Sequence, residues 1–104
     1  IAVTNQASSS VSILIGGGSS FTQSTETVGT NPSSVAIGDL DGDGSADDLA
    51  VTNPGSNNVS LLIEDGSGGF TQFNGAIGFV PVSIAIGDLD GDGNADDLAV
   101  TDLI

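Results

Sequence analysis

The sequence predicts an all-β protein made of tandem four-stranded repeats, each about 49 residues long. Three observations support this fold class. A long segment recurs almost unchanged, glycine, serine and asparagine are abundant as in short strands joined by turns, and no segment keeps a helical period.

The recurrence is the strongest of these observations. Ser34–Thr52, "SVAIGDLDGDGSADDLAVT", returns at an offset of 49 residues as Ser83–Thr101, with differences only at positions 35/84 and 45/94. The segment starting at Ile1 likewise matches the one starting at Leu49, with an offset of 48 that becomes 49 at Phe21/Phe70. The added residue falls in a glycine-rich turn, where insertions are tolerated.

These alignments predict the organisation of the chain. We expect residues 1–33 to be the C-terminal part of one repeat, 34–82 a complete repeat and 83–104 the start of the next. A third copy of the motif opens at Leu98. We therefore expect the chain to be a window on a longer tandem array.

Within one repeat the pattern predicts four short strands. They are "SVAIGDL", "LAVTN", "VSLLIE" and a weaker "FTQFNGAI", separated by an acidic loop and by the turns "NPGSNN" and "DGSGG". Four strands in about 50 residues are typical of a β-propeller blade. An open linear array of β repeats is the alternative.

The charge pattern limits the possible partners. The net charge is −14, because there are fourteen acids and no lysine, arginine or histidine. Phosphate groups and anionic lipids are bound by basic side chains, so we expect neither nucleic acid nor an anionic membrane surface as a partner. No apolar run reaches membrane-spanning length, so we expect no membrane insertion.

Ten of the fourteen acids are concentrated in two loops, which indicates a cation site. A loop with carboxylates at alternate positions can surround a hard cation, and glycines allow the tight path. We expect one Ca²⁺ per loop, because Mg²⁺ prefers fewer protein ligands and stricter geometry. The predicted ligands are Asp39, Asp41, Asp43, Ser45 (through its carbonyl) and Asp47 or Asp48 in the first loop, and Asp88, Asp90, Asp92, Asn94 (through its carbonyl) and Asp96 or Asp97 in the second.

The loop starts like an EF-hand but is not one. Position 12 of the pattern is Ala50 where an EF-hand has a bidentate glutamate, and both flanks read as strands. With its flanks, the loop resembles the FG-GAP repeat family, including the bacterial forms called VCBS repeats. The matching elements are Val35–Asp39, Asp41–Gly44, Leu49–Asn53, Gly55–Ile63 and Gly66–Phe70.

The resemblance covers essentially the whole chain. It implies blades of an integrin-α-like β-propeller, with calcium between the first two strands of each blade and ligands at the positions of Asp39, Asp41 and Asp43. One departure is that "ADDL" has one residue more than the family pattern. Counting from the loop start selects Asp47 as the closing ligand, whereas counting back from the strand selects Asp48. The extra residue predicts a β-bulge where the second strand starts.

These observations favour a structural role over catalysis. Histidine, cysteine, lysine, arginine and tyrosine are absent, so the usual bases and nucleophiles are missing and we expect no enzyme. We expect a calcium-stabilised structural or adhesive module of a secreted or cell-surface protein, bacterial in type, that forms a propeller or an extracellular filament. Its expected partners are calcium ions and neighbouring copies of the repeat, and glycans or surface proteins are further candidates. A calcium-dependent propeller that binds carbohydrate or protein is the alternative.

Overall fold

The structure, a computed structural model, describes all 104 residues and confirms an all-β fold. It contains no α-helix, and its one helical turn (Gln6–Ser8) is far too short to span a membrane. The strands are β1 (Ala2–Asn5), β2 (Ser10–Gly16), β3 (Phe21–Thr27), β4 (Ser34–Gly38), β5 (Asp48–Asn53), β6 (Asn58–Glu64), β7 (Phe70–Ala76), β8 (Pro81–Gly87) and β9 (Asp97–Asp102).

The strands form three antiparallel sheets in chain order. Sheet A is β1-β2-β3, sheet B is β4-β5-β6-β7 and sheet C is β8-β9. Sheet B contains the four predicted strands in one meander, which is the blade-like arrangement expected.

The expected β-bulge at the start of the second strand is wrong. Asp48 pairs with Gly38, and the β4–β5 register continues regularly to Ser34 and Thr52. The acidic loop accommodates the extra residue, because its backbone forms no backbone–backbone hydrogen bonds with a neighbouring strand. The single register irregularity lies at Pro81/Ser83, at the other end of the β8–β9 pair.

The sheets pack face to face through two apolar cores. Between sheets A and B the buried side chains are Val11, Ile13, Val28, Leu49, Val51 and Leu62. Between sheets B and C they are Ala50, Val59 and Ile84, with half-buried neighbours such as Leu61 and Ile86. Because successive strand residues point to opposite faces, β5 places Leu49 and Val51 on one side of sheet B and Ala50 on the other.

The two linkers between sheets, residues 28–33 and 77–80, are hydrogen-bonded to the β5–β6 turn. Gly55 N donates to the Thr30 carbonyl (3.0 Å), and Thr30 N donates to the Ser56 hydroxyl (3.1 Å). On the other linker, Val80 N donates to Asn57 Oδ1 (2.8 Å). These contacts set the position of each sheet relative to the next, and with it the position of the acidic loops.

Candidate metal centre

The first acidic loop (residues 39–48) connects β4 to β5 and includes Asp48, the first residue of β5; the second (residues 88–97) connects β8 to β9 and includes Asp97, the first residue of β9. Both loops turn through glycines with positive φ: Gly42 (79°) and Gly44 (93°) in the first loop, and Gly91 (79°) and Gly93 (95°) in the second. Side chains other than glycine adopt this backbone region only with strain. The "DGDG" spacing is therefore what lets each loop fold back on itself.

The folding of each loop gathers three of its carboxylates. One oxygen from each of Asp39, Asp41 and Asp43 lies within 4.8 Å of the others, and the same holds for Asp88, Asp90 and Asp92. These two triplets can hold a metal ion. They contain the first three predicted ligands of each loop.

Backbone N–H groups of the loop itself hold the first triplet in place. Asp39 Oδ1 accepts from Gly42 N (2.8 Å) and Asp43 N (3.1 Å), and its Oδ2 accepts from Gly44 N (2.9 Å). Asp41 Oδ1 accepts from Asp43 N, and Asp43 Oδ1 accepts from Ser45 N. The second oxygens of Asp41 and Asp43 accept no hydrogen bond from the chain, so both can face a cation.

The second loop repeats this pattern closely. Asp88 accepts from Gly91 N, Asp92 N and Gly93 N at 2.7–3.2 Å. Asn94 N donates to Asp92 Oδ1 (2.9 Å), as Ser45 N does to Asp43. The two sequences therefore encode one local structure twice.

The two loops lie side by side on the stacked sheets. A cleft of about 400 Å³ separates them, and its lining residues are Gly38, Asp39, Gly42, Gly44, Ala46, Gly93, Asn94 and Ala95. Ten carboxylates are thus concentrated in two adjacent loops of a chain without basic side chains. Their mutual repulsion favours the uptake of cations there.

Asp47 and Asp96 lie outside the triplets, but the negative charges of the loop carboxylates act on both of them. Partial desolvation, followed by the charges of Asp43, Glu64 and Asp48, raises the pKa of Asp47. Desolvation, followed by the charges of Asp92, Asp97 and Asp90, raises the pKa of Asp96 in the same way. Each side chain is therefore in a position where a nearby cation would favour its ionised form.

The pKa of Asp41 is also raised. A hydrogen bond from Asp43 N lowers it, but desolvation and the charges of Asp43, Asp48 and Asp39 together outweigh that bond. Repulsion inside the triplet is therefore present in the folded loop, and a divalent ion would relieve it.

Asp48 and Asp97 occupy a different environment. Asp48 is completely buried, and its Oδ2 accepts from Leu40 N (2.7 Å) and Asp41 N (3.2 Å). Its Oδ1 accepts from Glu64 N (2.9 Å) at the end of β6. Asp97 makes the equivalent bonds to Leu89 N (2.8 Å) and Asp90 N (3.2 Å).

The donor set suits a hard divalent cation. Every side chain offered is a carboxylate, and Ca²⁺ takes six to eight such oxygens in flexible geometry. Ser45 and Asn94, the residues whose carbonyls are the predicted neutral ligands, are exposed on the loops. The chain contains no cysteine or histidine, the ligands that Zn²⁺ and other softer metals favour.

Sequence reasoning missed Glu64 as a neighbour of this site. Its charge acts on Asp47, and its own carboxylate accepts from Gly66 N (2.8 Å) and Gly68 N (2.6 Å) in the β6–β7 turn. No repeat signal marks it, because the equivalent residue of the preceding repeat is Gly16.

The three sheets and their acidic loops are typical of tandem β repeats with a possible metal site between the first two strands of a repeat. Residues 31–77 match the family model of the FG-GAP repeat, which agrees with the resemblance predicted from the motif. Such repeats are structural or binding modules of the integrin-like β-propeller family, typically extracellular. No curated protein and no solved structure matched the chain.

Proposed function

We propose that this chain is a calcium-stabilised structural and adhesive repeat module of a secreted or cell-surface protein, without catalytic activity. The observation that carries the proposal is the pair of carboxylate triplets, each held by glycine turns in a chain with no basic side chain. Asp39, Asp41, Asp43 and Asp47 would hold one ion, with the Ser45 carbonyl. Asp88, Asp90, Asp92 and Asp96 would hold another, with the Asn94 carbonyl.

Calcium would act here as an electrostatic link. Each ion would offset two of the charges in its loop and hold the β4–β5 or β8–β9 connection in its folded path. Binding to the folded form alone stabilises it by mass action. Outside the cell, where calcium is abundant, such loops would stay loaded.

The exposed face of sheet A supports neighbouring repeats as partners. Ile1 is 66% exposed and Val3 is 47% exposed, whereas the equivalent residues of sheet B, Leu49 and Val51, are 3% and 0% exposed because sheet A covers them. A further blade stacked on sheet A would bury Ile1 and Val3 in the same way. We propose that stacked repeats form a propeller or an extracellular filament, with their loops in a row.

Calcium removal tests the stabilising role. In metal-free buffer the melting temperature should fall well below its value in millimolar Ca²⁺, and each of the two sites should restore about 2.7 kcal/mol of stability at a free Ca²⁺ 100 times its dissociation constant. Differential scanning calorimetry and titration calorimetry would measure both quantities. The matched control is Asp65→Asn, which removes an acid outside the loops and should retain the calcium response.

An unchanged melting temperature, with no heat of calcium binding, would contradict the proposal. Electron microscopy of the native protein separates the two assemblies, because a propeller gives discrete discs and a filament gives long fibres.

The cleft between the loops favours one second candidate, a calcium-dependent carbohydrate-binding module. Calcium can bridge sugar hydroxyls, and the cleft lies directly between the two loops. A glycan array probed with and without Ca²⁺ tests it. Calcium-dependent retention of a glycan would support this role, and equal signals in both buffers would exclude it.

A further inference from the structure

We infer that Asp48 is a positioning residue of the first acidic loop and not a ligand of its cation, and that Asp97 has the same role in the second loop. The inference rests on the proposed calcium function. It assigns different roles to the two halves of the "DD" dipeptide, which the sequence leaves equivalent.

The first argument is that both Asp48 oxygens accept hydrogen bonds in a completely buried position, whereas Asp39, which also accepts three backbone hydrogen bonds, is only half-buried. Asp48 Oδ2 binds Leu40 N at 2.7 Å and Asp41 N at 3.2 Å, and Asp48 Oδ1 binds Glu64 N at 2.9 Å. Three backbone donors thus converge on one completely buried carboxylate. If Asp48 turned toward a cation in the loop, its three donors would lose their partner in part-buried surroundings, which is unfavourable.

The second argument is where these donors come from. Leu40 and Asp41 lie at the start of the loop, and Asp41 is itself a predicted ligand, whereas Glu64 lies at the end of β6. Asp48 therefore ties the ligand-bearing backbone to the rigid sheet. Hydrogen bonds of this kind, made to the residues that carry the ligands, orient a site before the metal arrives.

Asp47 differs from Asp48 in each of these respects. It is half-buried, and the one hydrogen bond to its carboxylate comes from its own backbone N–H. It lies in the field of Asp43, which belongs to the triplet. Asp47 is therefore free to close the coordination shell, whereas Asp48 is not.

The second loop repeats the arrangement independently. Asp97 binds Leu89 N and Asp90 N at 2.8 and 3.2 Å, which are nearly the distances in the first loop. Asp97 is only half-buried. A substitution there disturbs the fold less, so Asp97 provides a second test of the same role.

The experiment uses Tb³⁺ as a luminescent probe of the calcium site in the full chain. To observe the first loop alone, Asp90→Asn and Asp92→Asn silence the second loop. Asp48→Asn and Asp47→Asn are then compared on this background. Luminescence lifetimes in H₂O and D₂O count the waters bound to the ion, Ca²⁺ competition gives the affinity, and amide hydrogen exchange of the metal-free protein reports on the loop backbone.

Asp48→Asn should weaken binding by about 10–100-fold, as substitution of a residue that orients ligands typically does. The number of bound waters should not change. Exchange at Leu40, Asp41 and Glu64 should become faster even without metal. Asp47→Asn should instead add about one bound water, because solvent fills a vacated calcium position, and it should not make metal-free exchange faster.

An added water in Asp48→Asn, or an affinity equal to that of its background, would overturn the inference while the calcium function stands. A parent chain that binds neither ion would instead overturn the proposed function. If Asp48→Asn fails to fold by circular dichroism, Asp97→Asn takes its place on a background with the first loop silenced by Asp41→Asn and Asp43→Asn. An added water in Asp97→Asn, or an affinity equal to that of its background, would then overturn the inference.

Discussion

At the scale of single residues, the two linkers place equivalent residues in the left-handed backbone region. Asn31 and Val80, 49 positions apart, both have φ of 54°. Asparagine tolerates this region, but a β-branched residue is strained there. One repeat therefore has a favourable residue at this position and the next repeat an unfavourable one.

We expect Val80→Asn to stabilise the protein by about 1 kcal/mol, because it relieves this strain. The backbone bond from residue 80 N to Asn57 Oδ1 does not depend on the side chain and should persist. Urea unfolding followed by circular dichroism measures the change. Asn31→Val is the matched control and should destabilise by a similar amount, and a loss of stability in Val80→Asn would contradict the explanation.

The raised pKa of Asp47 predicts a pH effect in the metal-free protein. A carboxyl whose pKa is higher in the folded state than in the unfolded state supports folding below the unfolded pKa, about 3.9, and loses that support as the pH rises through the folded pKa. Repulsion from Asp43, Glu64 and Asp48 is then fully expressed. Without calcium, Asp47→Asn should therefore melt higher than the parent at about pH 7, and the difference should shrink toward about pH 4.

Thermal melts across this pH range in metal-free buffer measure the difference. Asp65→Asn serves as a control of opposite sign. A hydrogen bond from the Ser67 hydroxyl, then one from Ser67 N, lowers the pKa of Asp65. Its ionised form supports folding, so removing it should lower the melting temperature near neutral pH. A pH-independent difference between Asp47→Asn and the parent would contradict the prediction.

At the scale of elements, a buried polar row crosses sheet B. Asn53 Nδ2 donates to Ser60 Oγ (2.9 Å), and Ser60 Oγ donates to Asn74 Oδ1 (2.7 Å), which links β5, β6 and β7. Asn53 and Ser60 are completely buried. The row fixes the end of the blade that contacts the linker, because a wrong register would leave these groups unpaired.

Ser60→Ala should destabilise the protein by about 1–3 kcal/mol, since it leaves buried donors and acceptors without partners. Chemical denaturation measures the loss. Ser12→Ala is the matched control in the preceding repeat, where Asn5 Nδ2 donates to Ser12 Oγ (2.8 Å) in a half-buried setting. Ser12→Ala should lose less stability than Ser60→Ala. Equal losses in the two variants would contradict a role for the burial of this polar row.

At the scale of the whole molecule, sheet B is covered on both faces. Leu62 packs toward sheet A in the core that contains Val11 and Ile13, while Val59 packs toward sheet C. A blade of this type has no complete core of its own, so its stability includes the interfaces with its neighbours. We therefore expect the three sheets to unfold together.

Leu62→Ala should lower the free energy of unfolding by about 2–5 kcal/mol, as other large-to-small changes in a core do. The variant should still unfold in a single calorimetric transition. Leu14→Ala is the matched control. Leu14 is the equivalent residue on sheet A, on the face that no other sheet covers, and it is only half-buried. If Leu14→Ala lost as much stability as Leu62→Ala, the stacked arrangement would be contradicted. Two separate transitions in the Leu62→Ala variant would contradict it as well.

Much of this structure was predictable because its determinants are local in sequence. Strand alternation, turn residues and the "DGDG" spacing all act within one repeat of about 49 residues, and adjacent strands pair in chain order. These features predicted the four strands of sheet B. The alternating carboxylates predicted which three aspartates of each loop would come together.

Other features depend on contacts that the sequence does not display. Asp47 and Asp48 are the same residue type at adjacent positions, yet Asp48 points beneath the loop to the Glu64 N–H, 16 residues away, while Asp47 remains half-exposed. The bulge expected there is absent, because β5 starts in register at Asp48. The strands and the acidic triplets follow from the repeat sequence alone. The environments of the two aspartates depend on how the start of β5 packs against the end of β6.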